Sequence, residues 1–128
     1  MTINYQRDVQ DFMDAADQRT DCTPQRTFDP TEPQNELYMR LVQEEFDETL
    51  DAFVKGDTVE LADGIADMVW VLMGLASSIG IPFDQVWEEV KASNMSKVVD
   101  GKLLKREDGK VMKPEGYFRP DINAVLFW

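Results

Sequence analysis

The chain has 128 residues, of which 43% are apolar, so it reads as one domain with enough material for a core. It contains no histidine and one cysteine, Cys22, which excludes an internal disulfide, His-dependent nucleophilic mechanisms and most zinc sites. A net charge of −12 disfavours nucleic acid as a partner, and no apolar run reaches the roughly 20 residues of a membrane span. The polar stretch Met1 to Asp11 does not read as a signal peptide, and the lone cysteine fits a reducing cytoplasm.

Asn4 to Arg19 reads as a helix with Val9, Phe12, Met13 and Ala16 on one face. Asp21 to Gln34, with Pro24, Pro30 and Pro33, reads as a loop. Glu36 to Val54 is a second helix ended by Gly56, and Asp57 can cap a third that runs to about Ile79. Met68 to Ala76 is apolar nearly all round, which predicts a central helix or one buried between subunits. Gly80 and Pro82 break it, and Phe83 to Ser93 is a fourth helix with Val86, Trp87 and Val90 inward. Asp100-Gly101 and Asp108-Gly109 are turn signals, and Leu103 to Glu107 with Lys110 to Lys113 can pair as a small hairpin. The apolar tail Ala124 to Trp128 is expected to dock on its own domain or on a neighbouring subunit.

The chemistry lies in two acidic clusters, Glu44-Glu45-Phe46-Asp47-Glu48 and Glu60-Leu61-Ala62-Asp63 with Asp67 one turn on. At about 100° per residue, Tyr38, Val42, Phe46, Thr49 and Phe53 share a face, while Asp47 and Asp51 point away from it. Glu45 and Glu48 fall at the border of that stripe beside Leu41 and Ala52, and Glu44 lies further out. Glu60, Asp63 and Asp67 fall within roughly 60° of one another on the next helix. Half-buried carboxylates in a group need protons, basic partners or cations, and an all-oxygen donor set suits Mg2+, with Mn2+ as a substitute.

Plainer readings stand beside these. Glu60 can complete a capping box with Asp57, and the Glu44–Glu48 acids can form a solvated face. Asp63 is harder to explain away, since Ala62 and Gly64 leave space around it. Gly74 fits close helix packing, and Trp70 and Trp87 fit a core better than a base-stacking platform. Residues 91–119 hold eight basic residues and four acids, a local +4 against −16 for the remainder, so metal and phosphate could be held by one chain; Lys97, Lys110 and Lys113 also read as ordinary surface lysines.

The string EEFDE followed by ELAD resembles the EExxE…ExxD signature of the all-α nucleoside triphosphate pyrophosphohydrolases, which include MazG-like proteins, dimeric dUTPases and phosphoribosyl-ATP pyrophosphohydrolases. The longer string ELADGIADMVWVLMGLASSIGIPFDQVWEEVKASNMSK is similar to the MazG-like and phosphoribosyl-ATP-pyrophosphohydrolase-like branch, and the resemblance spans about residues 36–97. It implies an all-α bundle of four to five helices with a small C-terminal hairpin, assembled as a homodimer or dimer of dimers. It implies metal ligands at Glu44, Glu45, Glu48, Glu60 and Asp63, with Asp67 as an alternative second-motif ligand, and nucleotide contacts at Asn94 and Lys97. Lys110, Lys113 and Tyr117 lie beyond the clear resemblance; Lys113 is taken as a third substrate-binding candidate.

The reaction so implied is Mg2+-dependent hydrolysis of an NTP or dNTP to the monophosphate and pyrophosphate, for pool control or housecleaning, with a leaning toward a purine such as dGTP. Two or three Mg2+ ions would clamp phosphate oxygens, and Glu45 or Glu48 would orient or deprotonate the attacking water. The alternative is a non-catalytic acidic protein that binds cations or mimics DNA; the basic segment and the half-buried acids speak against it.

Overall fold

The computed structural model describes residues 2–127; Met1 and Trp128, which end two of the segments read above, lie outside the described residues. The described chain is all-α with a minimal hairpin, in the order α1 (Tyr5–Ala15), α2 (Pro33–Lys55), α3 (Thr58–Ile79), α4 (Phe83–Met95), β1 (Val98–Val99), β2 (Lys102–Leu103) and α5 (Ile122–Phe127). No single helix is long and apolar enough to cross a membrane. The chain divides between Phe83 and Asp84 into two compact units.

The first unit is built on α1, α2 and α3. Val9 and Met13 of α1 are 1% and 0% exposed, and they meet Tyr38 of α2 and Met73 of α3 in one core, with Leu41, Leu75 and Phe83 packed around it. α1 is shorter than its apolar pattern predicts. Asp17 adopts a left-handed φ of 57°, so the helix stops at Ala15 and Ala16 falls outside it. Phe12 shares the apolar stripe but lies largely exposed, edge-on to Trp70 with ring centroids 5.5 Å apart.

α2 starts three residues before its predicted position. Pro33 occupies its first turn, where a missing N–H costs nothing, and the Glu32 carboxylate accepts from the N–H groups of Gln34 and Asn35. Arg19 fastens the preceding loop. Its guanidinium donates to Glu32 Oε2 at 2.8 Å, to Asn35 Oδ1 at 3.0 Å and to the Ser78 carbonyl at 3.0 Å. Arg19 first, then the two capped amides, hold the Glu32 carboxyl down at about 2. Cys22, which the sequence left without a role, donates its thiol to the carbonyls of Ser77 and Ser78 and fixes the same loop.

α2 and α3 form a helical hairpin. Gly56 closes α2 in the left-handed region at φ 67°, and Asp57 Oδ1 accepts from Glu60 N–H at 3.1 Å to cap α3. The two helices approach closely because two small residues face large ones. A Cβ on Gly74 would stand 2.1 Å from the Tyr38 ring, and one on Gly64 would stand 2.5 Å from Thr49 Oγ1. Gly74 is therefore a packing residue, as its helical context predicts.

The apolar surface of this hairpin is covered unevenly. Val71, Met73 and Ala76 are buried, whereas Phe46, Leu50, Val69 and Leu72 are exposed and Phe53 and Val54 are 67% and 76% exposed. Periodicity groups Phe46 and Phe53 with Tyr38, but within one chain only Tyr38 is buried.

In the second unit, α4 runs two residues past its predicted end, and Trp87, expected inward, is 56% exposed. The hairpin forms around the first Asp-Gly pair. Asp100 and Gly101 both have positive φ, 51° and 75°, and Val99 pairs with Lys102 and Val98 with Leu103, as a two-residue primed turn requires. The hairpin predicted for Leu103–Glu107 and Lys110–Lys113 is reduced to a single bridge, Lys105 with Val111. Leu103 is already paired with Val98, and Pro114 has no N–H to extend the other arm. Ile122–Phe127 forms α5, begun by Asp121, whose carboxylate accepts from Ala124 N–H.

Gly74→Ala is expected to destabilise the protein by about 1–3 kcal/mol, lowering Tm by at least about 4 °C, because the Tyr38 ring is held in a packed core and cannot step aside. Gly116→Ala, where an added Cβ meets nothing within 4 Å, is the matched control and should leave Tm within about 2 °C. Equal melting temperatures for both variants would contradict the close approach of α2 and α3.

Candidate active site

Six acids were candidates for a cation site: Glu44, Glu45 and Glu48 on α2, and Glu60, Asp63 and Asp67 on α3. Thr49 opposite Gly64 and Tyr38 opposite Gly74 fix the register of the antiparallel pair. That register sets Asp67 level with Glu45 and leaves Glu60 level with Ala52 and Phe53, nearer the turn.

Glu45 is the centre of the group. It is half-buried, and its Oε2 is enclosed without a hydrogen-bond partner. Burial pushes its carboxyl above the ordinary value of 4.5, and the charges of Glu48, Asp67 and Asp63 push it further. Four of the six acids therefore share one electrostatic neighbourhood, and both second-motif candidates, Asp63 and Asp67, belong to it. None of the six forms a salt bridge among the described residues.

Glu44 and Glu60 stand apart. Glu44 is exposed on the outer side of α2. Glu60 is exposed and bears on Lys55 by charge, at the turn end of the hairpin. The capping-box alternative for Glu60 is only half realised. Asp57 accepts from Glu60 N–H, but the Asp57 N–H donates to the Ala52 carbonyl at 3.1 Å and not to the Glu60 side chain. Asp47 and Asp51 face water as predicted, with Asp51 paired to Lys55 at 2.8 Å.

As the side chains stand, no three His, Cys, Asp or Glu side chains among the described residues form a ready cation cage. The donor chemistry nevertheless fits a hard divalent ion: all donors are carboxylate oxygens, one of them buried and unpartnered, with no basic side chain pairing them.

The substrate-binding candidates gather within the second unit. Lys97 Nζ donates to Asn94 Oδ1 at 3.0 Å. Lys97 and Lys113 both lie over the Tyr117 ring, 5.7 and 5.1 Å from its centroid. Lys110 stays outside this group; its N–H donates to Asp108 Oδ1 in the second Asp-Gly turn.

The structure thus defines an all-α protein with clustered carboxylates on one helical hairpin and a separate lysine cluster after α4. The family model for phosphoribosyl-ATP pyrophosphohydrolase matches residues 9–94, two thirds of the chain. The chain belongs to this family, within the MazG-like all-α nucleoside triphosphate pyrophosphohydrolase superfamily. That makes it a pyrophosphohydrolase-type enzyme acting on nucleotides. A comparison with curated proteins gives no match. The matched span takes in all six acids and Asn94; Lys97, Lys113 and Tyr117 lie beyond it.

The raised Glu45 carboxyl carries a signed consequence. The folded state holds this proton more tightly than the unfolded chain, so Glu45 subtracts from stability as pH rises above its ordinary value of 4.5. Glu45→Gln is therefore expected to melt above the parent at pH 7 in chelator, with the difference vanishing near pH 4, as thermal melts across this pH range would show. A difference independent of pH in the two melting curves would contradict the electrostatic origin.

Proposed function

We propose that this protein hydrolyses a nucleoside or deoxynucleoside triphosphate to the monophosphate and pyrophosphate in a Mg2+-dependent reaction, with a purine dNTP such as dGTP the first substrate to try. The observation that carries this reading is the enclosed, unpartnered Glu45 oxygen beside Glu48, Asp63 and Asp67. A carboxylate kept for solubility or for mimicking DNA has no reason to hold an oxygen enclosed beside three further acids, which weighs against the non-catalytic alternative.

Glu45, Glu48, Asp63 and Asp67 would hold the ion or ions, with Glu44 and Glu60 on adjoining turns of the same helices. Bound Mg2+, or Mn2+ in its place, would neutralise phosphate charge and raise the acidity of water. Glu45 would orient the attacking water or take its proton through a carboxylate oxygen not committed to the ion. Glu48, one helical turn away, is the second candidate for that task. The water oxygen bonds to the α-phosphorus, the bond to the α,β-bridging oxygen breaks, and pyrophosphate departs with that electron pair. Lys97 and Lys113 offer cationic partners for phosphate oxygens, and Asn94 offers amide hydrogens to phosphate or sugar.

We also propose a homodimer or dimer of dimers. Phe46, Leu50, Phe53 and Val54 on α2, with Val69 and Leu72 on α3, are apolar side chains left exposed in the single chain, as an interface between copies would require. An obligate interface over these side chains would bury above roughly 2,000 Å² in total. Light scattering at micromolar concentration should give at least twice the chain mass; an active, monodisperse monomer would contradict it.

Pyrophosphate release from individual dNTPs and from phosphoribosyl-ATP, with and without Mg2+, tests the reaction. Glu48→Gln and Asp63→Asn each keep shape and remove a charge, so each is expected to lower turnover at least about 100-fold with an unchanged circular dichroism spectrum. Near-normal turnover of both at saturating Mg2+ would overturn the assignment.

A further inference from the structure

Within the second unit, the end of α4 and a distant loop segment are joined by two serines. Ser93 is buried at 4% exposure, and its hydroxyl donates to the Phe118 carbonyl at 2.8 Å. The Ser96 hydroxyl accepts from the Phe118 N–H at 3.2 Å and donates to the Ser93 carbonyl. Both backbone polar groups of Phe118 are thus held by one helical turn. Tyr117 is thereby fixed beside Lys97, the residue that follows Ser96.

A second local element brings in Lys113. The Tyr117 N–H donates to the Pro114 carbonyl at 3.1 Å, closing a turn over Pro114-Glu115-Gly116-Tyr117. Lys113 immediately precedes that turn, which returns its ammonium to the Tyr117 ring. The two ammonium groups lie 5.7 and 5.1 Å from one ring centroid, hence within about 11 Å of each other. Neither pairs with a carboxylate among the described residues. Like charges gathered without an anion repel, and among the described residues the Tyr117 ring is the group that both ammonium groups contact. Asn94 accepts one hydrogen of Lys97 through its oxygen, which leaves its amide N–H groups as further donors.

We infer that Tyr117 is a positioning residue: its ring holds Lys97 and Lys113 as a preformed cradle for a polyphosphate anion, and Ser93 and Ser96 hold the ring in place. The naming of the anion rests on the pyrophosphohydrolase reading; the cradle itself rests on the geometry. A preorganised pair binds better than two free lysines because less side-chain freedom is lost on binding. The phenolic oxygen has no part in this, so a phenylalanine ring should serve equally.

The test is calorimetric titration with inorganic pyrophosphate in chelator, so that no metal bound at the carboxylates contributes. The parent should bind pyrophosphate with an affinity that falls as KCl is raised. Lys97→Met and Lys113→Met should each weaken binding about tenfold. Tyr117→Leu should weaken it about three- to tenfold, and Tyr117→Phe should restore the parent's value. In the Tyr117→Leu background, removal of either lysine should cost less than in the parent, since the pair is already loosened. Parent-like affinity in Tyr117→Leu, equal losses in the Leu and Phe variants, or no pyrophosphate binding by the parent would each overturn the inference. Pyrophosphate binding with the expected variant pattern but no hydrolysis of any nucleotide with Mg2+ would leave the cradle standing and remove the proposed reaction alone.

Discussion

The close approach of α2 and α3 is the constraint on which the first unit depends. Gly64 against Thr49 and Gly74 against the Tyr38 ring leave no room for a Cβ, so the two helices lie at one separation and in one register. That register buries Tyr38 and Met73 together in the core, and it also sets Asp67 and Asp63 against Glu45 and Glu48. The apolar contacts that stabilise the hairpin therefore hold four carboxylates near one another at an electrostatic cost. The cost shows at Glu45, where burial and the neighbouring charges push the carboxyl above its ordinary value and no basic partner among the described residues offsets them.

Much of the helical frame was legible in the residues. Gly56 and Gly80 mark the ends of α2 and α3 because the left-handed conformations there, φ 67° and 88°, favour glycine, and Asp57 marks a start because its carboxylate satisfies an orphan N–H. What failed to show was what distance in sequence conceals. Arg19 bonds to the carbonyl of Ser78, 59 residues away, and no local pattern announces that loop anchor. Pro33 reads as part of a loop until the Glu32 cap beneath it is known. Periodicity grouped Phe46 and Phe53 with the core, since an apolar stripe does not say whether its own chain or another copy covers it.

The candidate site was legible to different depths at different residues. Helical angles place both Glu45 and Glu48 at the margin of the apolar stripe, but only Glu45 becomes enclosed, and Glu48 is exposed. The same angles group Glu60 with Asp63 and Asp67, but a helix is also long: Glu60 lies nearly two turns from Asp67, level with Ala52, and out of the group around Glu45. Lys113 and Tyr117 carry no spacing signal because they sit in a loop, where position is set by turn closure and by Ser93 and Ser96 and not by a helical period. Serines in a string such as Ala-Ser-Asn-Met-Ser-Lys attract less notice than the asparagine and lysine between and after them, yet here they anchor the loop.

The central claim is that the α2–α3 hairpin stores carboxylate repulsion that a divalent cation relieves. Thermal unfolding at pH 7 against increasing Mg2+, with KCl matched for ionic strength, tests it most directly. The account predicts a saturable rise in Tm with Mg2+ that KCl does not reproduce and that is lost in an Asp67→Asn, Glu45→Gln double variant. A Tm unmoved by Mg2+, or raised equally by KCl, would contradict it.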